Sequence, residues 1–413
     1  MKQFNYIQFL FDYGTLFVLA LLCAWFSYVT IEEQSPTSPA AAERLAKRVG
    51  SELPAGASVV VLTRQGGEGE SFANALSEQL AKAGVAVAST TVGQPVDARK
   101  ALTDFAASGT ELAGIIADKH MASFANTNLG ALGQTHPTLA NAKVYQPTSY
   151  RWPNFLKRDN LLSVMKQISI VAIIAIGMTM VIITAGIDLS VGSLVGLSAM
   201  MGAWFIKERV IAAGGDPTTA GDFTVYSGFA VAILCAGLIG LFSGALVAYC
   251  KVAPFIVTLG VMMIARGMAE QANGGFTVSD TQLPSAFREL NHGTLIGIPN
   301  TVALLVLFYI AAHVFMSKTK YGRYIYAVGG NMEAARLSGV PVAGIILLVY
   351  TVCGLLAGLG GCLEASRVNA ATTVMGTGLE LEVIAAVVVG GTSLFGGSGR
   401  VFGTLIGAFI IGV

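Results

Sequence analysis

LLSVMKQISIVAIIAIGMTMVIIT, residues 161–184, decides which solvent this chain is built for. A helix needs about 20 consecutive apolar residues to cross the hydrocarbon core of a bilayer, and this stretch supplies them. On either side of it, eight further apolar runs occur near Phe9–Tyr28, Ser190–Ile206, Tyr226–Cys250, Pro254–Glu270, Asn300–Met316, Val342–Cys362, Glu382–Leu394 and Val401–Val413. The composition agrees. Of 413 residues 54% are apolar and only 12% charged, whereas a soluble domain carries about 25% charged residues. That fraction cannot cover a water-soluble protein of this size. The 25 Lys+Arg and 24 Asp+Glu nearly cancel, so no basic field points to nucleic acid. The fold class is an α-helical polytopic membrane protein in contact with the lipid bilayer.

The first run is too long and too aromatic for a cleavable signal, and no A-x-A site follows it, so it reads as an uncleaved span. The last run is only about 13 residues, short of a bilayer, and it stops without a polar tail. We therefore expect a fragment, with about nine spans visible and about ten in a full chain. The 49 glycines, several inside the apolar runs, suit close helix packing in lipid.

Short-loop charges set the orientation. The loop after the sixth span carries Lys318, Lys320, Arg323 and Arg336 against Glu333, which makes it cytoplasmic. Counting back six spans places the N-terminus, with Lys2, in the cytoplasm too. Lys207 and Arg209 then fall outside, a mild violation of the rule. The expected location is the cell membrane, multi-pass.

Three regions follow: a first span (1–30), a polar insert (31–150) and a membrane domain (151–413). In the insert we expect helices at Pro39–Val49, Ser71–Ala83 and Val96–Ala106, alternating with strands at Ser58–Thr63, Val85–Thr91 and Gly114–Ala117. Such alternation implies a small parallel α/β layer on the extracytoplasmic side. Gly66-Gly67-Glu68-Gly69 lacks the order of a phosphate-binding loop and reads as a plain turn. Ala122–Pro147 reads as a linker returning to the membrane.

Catalytic chemistry is not visible. Gly-Lys never occurs, so there is no P-loop and ATP hydrolysis by this polypeptide is not expected. No serine-hydrolase elbow is present. The five cysteines (Cys23, Cys235, Cys250, Cys353, Cys362) lie in or beside apolar runs without a CxxC pair. The four histidines (His120, His136, His292, His313) are scattered singly. No metal site or cofactor is expected.

Three places remain informative. In the cytoplasmic loop, Asn331 is a good N-cap for Met332-Glu333-Ala334-Ala335-Arg336-Leu337-Ser338, Glu333 suits the helix dipole, Gly339 offers a left-handed stop and Pro341 blocks continuation. This specifies an isolated two-turn helix parallel to the membrane, which reads either as a docking element for a partner or as an ordinary connection. Two helix breaks interrupt apolar sequence. The first holds Gly186, Asp188, Ser190 and Gly192. The second holds Gly390, Gly391, Thr392, Ser393, Gly396 and Gly397. Irregular backbone at membrane depth needs protein or a water-filled cavity around it, so such breaks often line transport pathways. Asp188 reads first as a helix cap and second as a contact for a polar solute.

These residues also carry a resemblance. IITAGIDLSVGSLVGL (Ile182–Leu197), IPN (Ile298–Asn300), YAVGGNMEAARLSGV from Tyr326, and IAAVVVGGTSLFGGSGRVFGTLIGA from Ile384 are similar, in the same order, to the ribose/xylose/arabinose/galactoside-type ABC transporter permeases. WPNFLKRDN at Trp152–Asn160 resembles the segment ahead of that family's second span. The likeness is loose over Met1–Val29 and close over Arg151–Val413. The chain departs from the family in the hundred-odd residues before the NFL segment. The resemblance implies the membrane subunit of a monosaccharide importer. Its expected partners are a cytoplasmic ABC ATPase, an extracytoplasmic sugar-binding protein and a second permease chain, identical or different, with Met332–Ser338 receiving the ATPase's motion. Two other classes stand beside it. One is a membrane sensor using the insert, although no output domain is present. The other is an ion-coupled carrier, although few ionisable residues lie mid-span.

Overall fold

The computed structural model describes residues 6–295 and 297–413; Lys2, assigned above to the cytoplasmic side, lies outside them. The chain divides into two compact units, Tyr28–Asn154 and a second that joins the chain through Ser27 to Phe155–Val413.

Helix α1 (Tyr6–Val29) leads into strand β1 (Ile31–Gln34). The smaller unit then runs α2 (Pro39–Glu52), β2 (Ser58–Arg64), α3 (Gly67–Lys82), β3 (Ala86–Gly93), α4 (Pro95–Ala107), β4 (Gly114–Ala117), α5 (Lys119–Thr135), β5 (Lys143–Tyr145) and β6 (Tyr150–Pro153). Its main sheet is fully parallel, in the order β3-β2-β4-β5. Val59, Val60, Val61 and Leu62 of β2 are all fully buried, as a strand covered by helices on both faces requires.

Two expectations are corrected here. The glycine stretch at 66–69 is not a plain turn but the start of α3. Gly69 is needed because a Cβ there would collide with the Arg64 carbonyl oxygen. The supposed linker from Ala122 contains a helix and a fourth strand. The Asp118 side chain caps α5 by accepting from Met121 N (2.9 Å), and Met121, Ala122, Ala125 and Leu132 bury one face of it. Asn and Gly residues within α5 hide that face in the sequence, since both disfavour helix interiors.

In the larger unit the helices are α6 (Arg158–Ile183), α7 (Val191–Ala212), α8 (Asp222–Ala248), α9 (Pro254–Gln271), α10 (Ser285–His292), α11 (Asn300–Lys318), α12 (Lys320–Gly330), α13 (Met332–Leu337), α14 (Val342–Val368), α15 (Leu379–Val389) and α16 (Val401–Gly412). Among the described residues, α6, α8, α11 and α14 are long and apolar enough to cross a membrane by length and composition. The other apolar runs are helical too, but α15 has 11 residues and α16 has 12.

Helix α6 is the axis of this unit: every residue from Ile168 to Ile183 is buried. A helix apolar on all sides belongs at the centre of a bundle. Glycines let its neighbours close in. A Cβ on Gly177 would lie 2.6 Å from the Cα of Cys353 in α14. Helices α8 and α14 meet where Gly240 and Gly354 face each other, each within 3.1 Å of the other's Cα by the same measure. Small residues bring helix backbones together where lipid supplies no hydrophobic drive between helices. Polar pairs add specificity: Thr179 and Thr404 hydroxyls share a hydrogen bond of 2.8 Å, and Tyr309 donates to the Ala172 carbonyl at 3.0 Å.

The insert is closed at its base by the antiparallel β1/β6 ladder, which pairs Ile31 with Pro153 and Gln34 with Tyr150. Its two ends are therefore adjacent, and bridging adjacent ends costs little loop-closure entropy. Joining Ser35 to Ser149 through a short Gly/Ser linker should leave the remaining helices inserted in membranes and monodisperse in detergent. Aggregation of that variant, seen by size-exclusion chromatography, would show that the bundle depends on the insert.

Candidate functional site

Helix α6 ends in a Schellman arrangement: Gly186 N donates to Val181 O (3.0 Å) and Ala185 N to Ile182 O (2.9 Å). The left-handed position is filled by Ala185, at φ +59°. A Cβ in that region costs about 1–2 kcal/mol, which is why glycine usually takes the place. The surroundings hold it there. The Ile183 carbonyl, which no residue further along α6 can pair, accepts from Gly397 N at 2.9 Å. Gly329, near the end of α12, packs against the same carbonyl so closely that a Cβ would collide with it. The first break, the second break and the end of α12, far apart in sequence, thus meet at one backbone group.

Asp188 does not cap α7; Ser190 holds that position. Asp188 Oδ1 instead accepts from Ser190 N (2.9 Å) and Ser190 Oγ (2.6 Å). It is fully buried beside Tyr350 and Cys353. Asp188 Oδ2 and the Tyr350 hydroxyl have no hydrogen-bond partner among the described residues. Gly186 makes room for that hydroxyl, since a Cβ there would sit 2.6 Å from it. Gly192 lies outside the break, in the first turn of α7, against Gly376 and Glu380.

The second break is a tight glycine turn. Gly391 N donates to Val388 O (2.9 Å) and Thr392 N to Val387 O (3.2 Å), a Schellman stop with Gly391 at φ +87°. Gly390 serves helix packing instead. It faces Gly403, and a Cβ would lie 2.5 Å from the Gly403 carbonyl oxygen. Ser393 N donates to Ser398 O (3.0 Å) and Gly396 N to Ser393 O (3.1 Å), closing the loop on itself. Thr392 is buried, and Tyr326 of α12 donates to Gly399 O at 2.8 Å.

Helix α13 is not isolated, because only Asn331 separates it from α12. The α12 helix, absent from the sequence reading, is capped by Thr319, whose Oγ1 accepts from Gly322 N (3.2 Å). Asn331 Oδ1 accepts from Ala334 N (2.9 Å), a cap worth about 1 kcal/mol. Gly339 (φ +81°) and the bond from Val340 N to Ala335 O end the helix. Ala335 is buried, while Leu337 is 89% exposed. Glu333 and Arg336 pair at 3.0 Å on the surface, which contributes about 0.2–1 kcal/mol. Met332, Glu333 and Arg336 line a cleft of about 900 Å³ together with Thr184, Gly186 and Tyr350.

Sequence reasoning missed the segment after α14. Helix α14 stops at Asn369 in a left-handed conformation (φ +53°). The chain then folds back, bridged by Ala371 to Val278. Arg266 of α9 donates to Thr373 O (2.6 Å) and Met375 O (2.9 Å). At 1.5 Å per residue the 11 residues of α15 span about 16 Å, half of a bilayer core. The signal was present as Gly376 and Gly378 ahead of an apolar run, read here as beginning three residues later than it does.

Fold and site together define a polytopic α-helical membrane protein with two glycine-rich helix breaks, the first of which borders a cleft. The family model described as "branched-chain amino acid transport system / permease component" matches residues 160–413. The ribose import permease protein of Escherichia coli (strain K12) is 42% identical over 262 residues, 63% of this chain and 78% of that protein. The galactose/methyl galactoside import permease protein of Salmonella typhimurium (strain LT2) is 37% identical over 271 residues, 63% of this chain and 79% of its own length. The D-allose transport system permease protein of Escherichia coli (strain K12) is 35% identical over 263 residues, 62% and 75% of the two chains. No solved structure matches. The chain belongs to this family of transport-system permease components, which are transporter subunits and not enzymes.

Gly390 and Gly391 therefore fail differently when replaced. Gly391→Ala should cost about 1 kcal/mol, the left-handed penalty alone, and Gly390→Ala more, because it forces α15 from α16. Melting of the purified variants in detergent checks this order, and equal melting temperatures would contradict it.

Proposed function

We propose that this chain is the membrane subunit of an ABC importer for a neutral monosaccharide. In this reading the given sequence contributes nine spans, with the N-terminus in the cytoplasm and the α/β insert outside. A cytoplasmic ATPase docks on α13, an extracytoplasmic binding protein delivers the sugar, and a second permease chain completes the pathway. The relatives named for ribose, galactose and allose import support the substrate class.

The observation that carries the coupling role is the backbone junction at the Ile183 carbonyl. A push on α13 passes through α12 to Gly329, and from there to the end of α6 and the glycine turn at Gly397. Close backbone contact at Gly329 and Gly397 supports this path, along which a displacement of α13 would reach the α6 terminus. Packed backbones of this kind move between discrete arrangements and do not deform continuously. The first break, with its buried Asp188 and Tyr350, lies beside the cleft that α13 lines. The sensor reading has no comparable element to bias.

Leu337 is the residue to test, because Ala335 is buried and its replacement would disturb packing. Leu337→Asp should insert normally yet lose at least about fivefold in ATPase association, as truncation of an interface anchor costs more than about 1 kcal/mol. Co-purification and sugar uptake at wild-type levels would overturn the docking role. An Ala107→Cys probe in the insert should react with a membrane-impermeant maleimide added outside intact cells. Labelling from the cytoplasmic side alone would reverse the orientation.

A further inference from the structure

Helices α6 and α14 run antiparallel: Gly177 packs on Cys353, and Gly360 on Ile174 and Ile170. Further along the same pair, away from Gly186 and α13, Gln167 reaches the level of Glu364. There a small cavity of about 190 Å³ opens, with Gln167, Glu364, Arg367, Thr377 and Glu382 around its rim and Ile170 and Val195 in its wall. We infer that this cavity is a receiving site for a single neutral sugar ring at the end of the bundle opposite α13. The inference rests on the sugar-import reading above and adds to it the residues that take the sugar and the ligands they reject.

The chemistry is that of hydroxyl recognition. Glu364 and Arg367 hold each other through two bonds, Arg367 Nη2 to Glu364 Oε1 (2.6 Å) and Nε to Oε2 (3.0 Å). Their side chains are 24% and 35% exposed. A bidentate pair of this kind is fixed in orientation, yet the guanidinium keeps further N–H donors and the carboxylate keeps lone pairs. Thr377 donates to Val374 O (2.7 Å), leaving its oxygen free to accept. Gln167 brings both a donor and an acceptor, and Glu382 brings acceptors; both are exposed. Adjacent donors and acceptors on a rigid frame match the vicinal hydroxyls of a sugar.

Charge and size narrow the ligand. With Glu364 and Arg367 paired, Glu382 leaves one net negative charge at the rim, which disfavours sugar phosphates and sugar acids. The volume equals that of about six liquid waters and lies below the range of about 300–1,000 Å³ typical of drug-sized ligands. A space of that size suits a single ring.

The backbone is arranged to hold this site. The fold-back after α14 places Gly376 and Thr377 beside the cavity, tied down by Arg266 through Thr373 and Met375. Gly192 and Gly196 of α7 lack side chains where that backbone passes, and a Cβ on either would collide with the Gly376 or Met375 carbonyl. The segment leads directly into the half-length helix α15, and ends of discontinuous helices are where transporters place their binding sites.

The test uses the chain reconstituted in vesicles with its ATPase and binding protein, supplied with D-ribose, D-galactose or D-allose and, as a charged comparison, D-ribose 5-phosphate. The readout is sugar accumulated per ATP hydrolysed, a ratio that loss of folded protein does not change. Gln167→Leu and Glu382→Leu should each lower it about fivefold, the worth of about one hydrogen bond, and Leu307→Ala, on an exposed face of α11, should not. Glu382→Leu should also narrow discrimination against the phosphate. An unchanged ratio in both variants, or an equal fall with Leu307→Ala, would overturn the site. Failure of the unaltered chain to accumulate any of the three sugars would instead remove the import reading itself, before any variant is compared.

Discussion

The Ile183 carbonyl organises this molecule. A helix end leaves its last carbonyls without partners inside the helix, and other groups must take them. Here Gly397 supplies the N–H, and Gly329 clears the space that lets a third segment seal the contact. One requirement, satisfying a buried oxygen, thereby fixes the register of three segments spread over more than two hundred residues. It also explains why glycine, and not a merely small residue, stands at 329 and 397: the approach there is backbone to backbone.

The same constraint separates what could be read in the sequence from what could not. The long spans were legible because apolar length alone specifies them; α6, α8, α11 and α14 follow from it. The caps of α13 were legible because Asn331 and Gly339 act on their own neighbours. The two breaks were legible as glycine-rich interruptions, but their convergence was not, since Ile183 and Gly397 carry no side-chain signal that pairs them. Asp188 was misassigned for a related reason. An aspartate two residues before Ser190 can cap a helix or close a local turn, and nothing nearby in the sequence announces its burial beside Tyr350 and Cys353, which arrive from α14.

Elements whose stability comes from outside them were also illegible. Helix α5 carries Asn126, Asn128, Gly130 and Gly133, which weigh against helix locally; burial of Met121, Ala122 and Ala125 against the sheet outweighs them. Helix α10 is eight residues long and gains its hold from α14, where Asn291 N donates to Ser366 Oγ (3.0 Å). The fold-back after α14 depends on Arg266, more than a hundred residues earlier in the chain. In each case tertiary contact overrides local preference.

Ala185 shows how function and stability share the first break. Glycine at that left-handed position would relieve about 1–2 kcal/mol of strain, yet the methyl group has a partner: a Cβ on Gly396 would come within 3.0 Å of it. The glycine of this contact sits in the turn, and the methyl sits at the end of α6. Exchanging the two would put a Cβ at position 396, where φ is +85° and the Ile183 carbonyl oxygen would lie 2.9 Å away, so the strain would move into the turn and not disappear. A strained, over-determined residue is what the proposed two-state coupling needs at this place, because strain raises one arrangement towards the energy of another. The break is therefore held rigid by its neighbours while being intrinsically unfavourable. That combination is what the proposed passage of a displacement from α12 and α13 to α6 requires.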